Sequence, residues 1–515
     1  MEIMTTITQL LCNRFGGIRE RNSSFSEDLI SAQDIQNVEL YYTGINGGIG
    51  IRTTKGNVSF NDELLDTQKI INIFESTQNQ TKYFFVYAED ELKGTFYNLN
   101  LKTNSLEILK DDLTVTGKSN GFDVAQGWTD LFFFTNGAEM FTVEMDILEE
   151  NNVITDMTLI DRDGRTVVGI IAGIFNNRLW IASGNVIWYS VTSDIYDFST
   201  ANSDWVTSAG YIELIKNITA IHEYLGALAV FFADSSVLIS VSNGDFSIAE
   251  ESPGGCAGYN SLVFHDTNLY FYDDTKKAVF SFKQVISGEK TLGENVAVDI
   301  QDILLSIDSN NLDKIQALSV FMESRNEIWW IIPTKENDYS TIIIFDYLKG
   351  EWIKRKSQKI NAVRIFDGKL YSAGDNGKIL EEYNSDRFDG EYIQHYYNCS
   401  PLNLGAVNTL KVLAFPPRVS FDMPFNNQFY VKYIKNFNTF KKPKIKFIKS
   451  KLKNYGYWGK SLWGRCFWAS KHTSSIGKFP TANFKVLEMS IYSQEASHNF
   501  AIKNIEFSKI KVKQV

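Results

Sequence analysis

The chain has 515 residues, 44% hydrophobic and 14% aromatic, with 51 Lys+Arg, 61 Asp+Glu and a net charge of −10. Its 37 Phe, 24 Tyr and 10 Trp beside only 8 Pro suit pleated, half-buried strands and exclude extended disorder, and the length allows two to four domains with a sizeable core. The charge is uneven: residues 401–515 hold 20 Lys+Arg and 4 Asp+Glu, a net +16, and residues 1–400 hold the other 31 and 57, a net −26. A split of this size marks two regions with different surroundings.

The first residues, MEIMTTITQLLCNRFGG, lack a basic leader, and no window approaches the ~18 apolar residues of a membrane span, so the expectation is synthesis in the cytoplasm with no membrane insertion. Residues 1–38 read as a tethering arm or as a strand lying on another subunit. Asn37 to Asn57 reads as a hairpin with a glycine-rich tip; Gly44, Gly47, Gly48 and Gly50 lack the Lys-Ser/Thr and the helix of a phosphate loop.

From about 68 to 385 the chain repeats a unit: an apolar strand, a polar turn, a pair of apolar residues opening the next strand, then a further hairpin. The pairs are Tyr83-Phe84, Leu131-Phe132, Leu179-Trp180, Leu228-Ala229, Leu269-Tyr270, Ile328-Trp329 and Leu370-Tyr371. Their 40-to-60-residue spacing, without helices to cover a parallel sheet, predicts a β-propeller of six or seven blades over residues 68–395. Val296 to Asp308 is the one expected helix, an insertion between blades. Residues 1–67 are then the arm and hairpin. Residues 396–515, with longer alternating strands and no repeat, read as a basic C-terminal β-sandwich or jelly roll. In it, Tyr455 to Trp468 places Trp458, Trp463 and Trp468 five apart beside Arg465. These residues either pack the sandwich or anchor a subunit interface, where Trp and Arg dominate the binding energy.

Catalytic and metal signatures are not prominent. Cys12, Cys256, Cys399 and Cys466 lie far apart and read as reduced, mostly buried thiols, and the five histidines show no zinc spacing. Asp161-Arg162-Asp163-Gly164 resembles a truncated calcium loop but reads as a hairpin turn. The Gly-x-Ser-x-Gly elbow, the sialidase box and the WD40 and kelch signatures are absent, and no pair of carboxylates stands out for glycoside chemistry. The expectation is a non-enzymatic protein without a cofactor.

Five local patterns point to a family. They are Gly16 to Arg19 before the first hairpin; Phe175 to Leu179; Trp188 to Ser190 with Asp194 to Phe198; Phe231 to Ser235 with Pro253 to Ala257; and Tyr270 to Asp274. Together they resemble the tail nozzle and head-to-tail DNA-stabilisation proteins of short-tailed bacteriophages. The resemblance implies a structural virion protein, assembled in the host cytoplasm into a ring, six-fold in that family, at the end of the tail. That ring would retain the genome and release it through its lumen without sequence-specific binding. Other tail and portal-adjacent ring proteins and a host surface receptor would be further partners. An acidic wall would suit such a channel, because a basic one would brake the duplex. The basic C-terminal region would dock on an acidic neighbour, grip DNA, or remain a solvated surface. The competing expectation is a carbohydrate-binding or carbohydrate-cleaving propeller at the bacterial surface, with a deep axial pocket holding paired carboxylates and aromatic platforms.

Overall fold

The computed structural model describes residues 5–12, 14–19, 29–43, 48–60, 68–100, 103, 105–145, 152–201, 208–242, 245–284, 290–322, 325–333, 339–402, 409–424, 428–436, 442–449, 455–456, 467–468, 472–478, 483–493 and 499–514. Nearly all of the regular structure is strand, and no helix of the described residues is long and apolar enough to cross a membrane. The expected helix at 296–308 is a single turn, Gln301–Leu305, preceded by the 3-10 turn Val298–Ile300. It stops because Asp308 is extended and its side chain accepts from Asn310 N–H, starting the separate turn Ser309–Lys314.

Seven four-stranded sheets follow one another along the described residues. The first comprises Lys69–Gln78, Thr81–Glu89, Gly94–Asn100 and Ser105–Leu113. The second comprises Asn120–Gln126, Thr129–Thr135, Met140–Met145 and Asn152–Asp156. The third comprises Ile171–Phe175, Arg178–Ser183, Val186–Tyr189 and Gly210–Glu213. In the fourth, Ala220–Tyr224, Ala227–Phe231, Ser236–Ser242 and Asp245–Ile248 pair in order, and in the fifth Leu262–His265, Asn268–Asp273, Ala278–Gln284 and Lys290–Leu292. The sixth runs Gln316–Met322, Arg325–Ile332, Tyr339–Asp346, Glu351–Gln358. The seventh joins Ala362–Phe366, Lys369–Ala373 and Ile379–Ser385 to Gly56–Ser59.

Each apolar pair of the repeat sits on the second strand of its sheet. That strand is covered on both faces, with Leu179 and Trp180 in the cores on either side of their sheet, so its residues run apolar without alternation; Ala227–Phe231 is buried throughout. The turn before it is tight. Asn176-Asn177 and Leu225-Gly226 have positive φ at both positions, which matches the twist of a two-residue hairpin.

The chain divides into two compact units, residues 59–341 with 358–382, and residues 1–58, 342–357 and 383–515. In the larger unit the first strands of the sheets touch in a closed circuit. The first meets the second, the second the third, the third the fourth, the fifth the sixth, the sixth the seventh, and the seventh the first; the fourth reaches the fifth sheet through the turn Tyr259–Ser261. Apolar cores lie between neighbouring sheets: Phe74, Phe85 and Phe96 with Phe132, Phe134 and Phe141 between the first and second, and Phe175 and Trp180 with Leu228 and Val230 between the third and fourth. Each such Phe, Leu or Val side chain, fully buried, contributes about 1.5–3 kcal/mol.

The smaller unit is organised on one fourteen-stranded sheet. The N-terminal residues belong to it. Thr5–Cys12 pairs antiparallel with Ala501–Gln514, and Leu29–Gln36 pairs with Tyr396–Cys399. The expected hairpin is Val38–Tyr42 with Ile49–Thr53; its tip at 44–47 lies outside the described residues. Thr409–Leu413, Gln428–Lys435, Lys444–Lys449 and Leu487–Tyr492 are the other expected strands. Ala501–Gln514 pairs along its length with four others, which branches the sheet.

Candidate functional site

The most recognisable stretch, Phe175 to Phe198, is built around Arg178. Its side chain is fully buried, and Nη1 donates to Ser190 O and Ser208 O, each at 2.6 Å. The guanidinium lies over the rings of Tyr189 and Phe246, at 5.2 and 5.9 Å. Burying this charge calls for strong acceptors, and the two Nη1 bonds tie Arg178 to the end of the third strand of its sheet and to the segment before the fourth. The following turn reaches the neighbouring sheet. Gln126 donates to Asp194 Oδ1 at 3.0 Å and accepts from Ile195 N–H at 2.8 Å, Tyr196 and Thr142 hydroxyls meet at 2.7 Å, and Phe198 is buried in the core between the second and third sheets.

Phe231 to Ser235, Pro253 to Ala257 and Tyr270 to Asp274 meet at one corner. Gly255 N–H donates to Asp273 Oδ2 at 3.1 Å, Cys256 N–H to Phe232 O at 2.9 Å, and Ala257 N–H to Tyr272 O at 2.8 Å. Position 255 must be glycine because a Cβ there would lie 2.3 Å from Ala233 O. The buried Asp273 also accepts from Thr275 Oγ1 and Lys276 N–H, at 2.6 and 3.0 Å. Cys256 is closed in, and burial pushes its thiol up to about 11, the opposite of an activated nucleophile.

In the smaller unit, Gly16 to Arg19 docks on Glu351 and Trp352. Tyr397 donates its hydroxyl to Gly16 O at 2.8 Å, and a Cβ on Gly17 would lie 2.3 Å from Trp352 O. All five patterns thus hold joints between strands, turns or sheets.

Asp161 is a turn residue. Its Oδ1 accepts from Asp163 and Arg165 N–H, both at 2.9 Å, and Oδ2 from Arg165 Nε at 2.7 Å and Trp188 Nε1 at 3.1 Å. Burial pushes its carboxyl up, but these bonds outweigh that and hold it below the usual carboxylate range. With four donors already on its oxygens it is a poor calcium ligand. Among the described residues no group of three or more His, Cys, Asp or Glu is placed to hold a metal ion.

The larger unit holds an axial cavity of about 670 Å³, where the first strands of its sheets begin. It is the place to look for paired carboxylates, and three of those at or near its wall are engaged. Glu89 accepts from Thr116 and Gly117 N–H, both at 2.9 Å, and from Tyr87 OH at 2.7 Å. Asp313 pairs with Lys118 at 3.3 Å. Asp375 pairs with Lys359 at 2.5 Å and accepts from Asn361 at 2.8 Å. Burial raises the Asp375 carboxyl, and Lys359 and Asn361 more than reverse it, so it stays ionised and unsuited to acid catalysis. The Lys118–Asp313 pair, and the Tyr259 hydroxyl donating to Ser119 O at 3.3 Å, link segments that are not neighbours in the circuit.

Of the interface candidates, Trp458, Trp463 and Arg465 lie outside the described residues, as does Cys466. Trp468 ends the two-residue strand Phe467–Trp468, parallel to Tyr455–Gly456. The structure adds one aromatic that the repeat had hidden. Trp128, at the tip of the first hairpin of the second sheet, is 104% exposed. Its signal was present in Gln126-Gly127-Trp128-Thr129, since a tryptophan in a tight turn has no sheet face to cover.

No protein-family model and no curated protein matches the chain. Among solved structures, the computationally designed Ika8 protein is similar at 13% identity and a TM-score of 0.34, over 64% of this chain and 99% of that one. A protein described as a candidate 6-phosphogluconolactonase from Bacteroides uniformis is similar at 10% identity and a TM-score of 0.35, over 62% of this chain and 95% of its own. At these TM-scores neither likeness bears on what the chain does.

Proposed function

We propose that the chain is a structural protein of a bacteriophage tail, copies of which form a ring at the end of the DNA channel, the nozzle, that retains the genome and lets it leave during ejection. In this reading the seven sheets are the blades of a β-propeller, and the branched fourteen-stranded sheet folds back on itself as a sandwich-like basic domain. The observation that carries it is the use made of the recognisable residues. Gly16 to Arg19, Arg178, Asp194, Gly255 and Asp273 are all spent on joints, and the axial carboxylates named above hold protein groups. This is the economy of a scaffold, in which the polar groups of these segments go into the chain's own rigidity.

The DNA path would run between copies, because the Lys118–Asp313 and Tyr259–Ser119 links cross the axis of the larger unit. Negative-stain electron microscopy of the purified full chain tests the proposal. Rings with an open centre support it. Single particles at every concentration, together with cleavage of surface glycans, would replace it with the carbohydrate reading.

A further inference from the structure

The first hairpins of the sheets lie at one end of the larger unit. Residues at the start of the first strands, Asn72, Ser119, Gln316 and Asn361, line the cavity described above, and residues farther along the same strands, Glu75, Asp123, Ser319 and Arg364, line a second one of about 370 Å³. Farther still, the Tyr224 hydroxyl reaches Thr267 O in the first hairpin of the next sheet, at 3.4 Å. At this end apolar side chains stand in solvent. Trp128 is 104% exposed, Phe321 73% and Leu225 40%. Leu225 also holds φ at 48°, a turn position that asparagine or glycine fills more cheaply. Exposed acids, Asp123, Asp130, Glu223 and Asp367, surround them, and the lysines at the same hairpins, Lys82 and Lys369, are already paired with Glu75 and Glu381 at 2.7 and 3.1 Å. The result is an apolar, acidic face.

The smaller unit carries its counterpart. Among the described residues Lys444–Lys449 is the terminal strand of the fourteen-stranded sheet order, hydrogen-bonded to Gln428–Lys435 on one side. Five of its six residues are exposed; Ile445 and Phe447 stand 58% and 56% in solvent between Lys444, Lys446 and Lys449. An exposed edge with apolar side chains is a hazard unless something covers it.

From this complementarity we infer that the first-hairpin face of one copy receives the Lys444–Lys449 edge of a second copy. Trp128 and Phe321 meet Ile445 and Phe447, and Asp130 and Asp367 face Lys446 and Lys449. The two surfaces differ, so the contact is heterologous and each copy offers both halves, which is the arrangement that closes into a ring. The inference deepens the ring proposal by naming its contact, and it depends on that proposal.

The test is mass photometry and sedimentation velocity of the full chain. Trp128→Ser with Phe321→Ser removes exposed rings, and Lys446→Glu with Lys449→Glu, or Asp130→Lys with Asp367→Lys, reverses charge on one side. Circular dichroism and melting confirm folding, and the charge variants serve where the apolar pair fails to fold. Each single-sided change is expected to weaken association by about thirtyfold or more, as the loss of a central aromatic anchor does. Mixing or combining the two charge reversals is expected to restore it. Rings unchanged by all three variants overturn the inference and leave the ring proposal standing. A wild-type chain that stays monomeric overturns both.

Discussion

Gly17 N–H donates to Glu351 Oε2 at 2.8 Å, across 334 positions of sequence, while Glu351 Oε1 accepts from Arg19 Nη2 at 3.0 Å. One nearly buried carboxylate therefore holds the Gly-Gly-x-Arg segment, whose first three residues end a strand, at two points. Glu351→Gln keeps an acceptor for Gly17 and should cost about 1 kcal/mol, whereas Glu351→Ala strands a buried N–H and should cost about 2–3 kcal/mol. Gly17→Ala forces its methyl against the Trp352 backbone and is expected to cost at least as much. Urea unfolding of the three variants checks the order; equal loss for Gln and Ala would remove the hydrogen-bond account.

Gly255→Ala and Asp273→Ala attack one corner from two sides. The first drives a Cβ into Ala233 O, and the second leaves Gly255 and Lys276 N–H and the Thr275 hydroxyl without their acceptor. Each should destabilise by about 2–4 kcal/mol, with the double variant costing less than the sum, because both break the same joint. A thermodynamic cycle by denaturant unfolding measures this; strict additivity contradicts it.

His395 supplies a pH dependence. Burial lowers its pKa to about 4, opposed by its hydrogen bond with Thr54 O and reinforced by Arg355. The folded chain therefore prefers the neutral ring. Its contribution is complete above the unfolded value near 6.5 and is lost as pH falls from there towards 4, about 2 kcal/mol by pH 5. The wild-type melting temperature should fall between pH 7 and pH 5 by more than that of His395→Gln. Parallel pH profiles for the two would end this assignment.

Cys12, Cys256 and Cys399 are buried, and burial raises the pKa of Cys256 and Cys399. A thiol reagent at pH 8 should label none of the three in the native chain within minutes and all of them in guanidinium. Rapid native labelling of Cys256, located by peptide mapping, would show that its corner opens.

The seven sheets were legible because each second strand is covered on both faces and both edges, so Leu179-Trp180 and its six counterparts recur without alternation. The place of the N-terminus was not. Residues 1–38 read as an arm because their partners lie hundreds of positions away: Leu10 faces Phe507, and Gln36 faces Tyr396. Local pattern carries no trace of such pairings. The helix at 296–308 was overestimated because its apolar spacing suited a helix, while the extended Asp308 that ends the segment depends on the turn after it. Trp128 carried no strand signal, because it stands at a turn tip outside the repeated apolar pairs.

The pairing of Thr5–Cys12 with Ala501–Gln514 sets a timetable for synthesis. At about 5–20 residues per second, Thr5–Cys12 waits on the order of half a minute or longer for its partner. The first five sheets, encoded in between and lying wholly in the larger unit, can form while the smaller unit is still incomplete. A prematurely terminated chain would carry a folded centre and an orphan strand. Arrival of Ala501–Gln514 is therefore the event that covers the waiting edge of Thr5–Cys12.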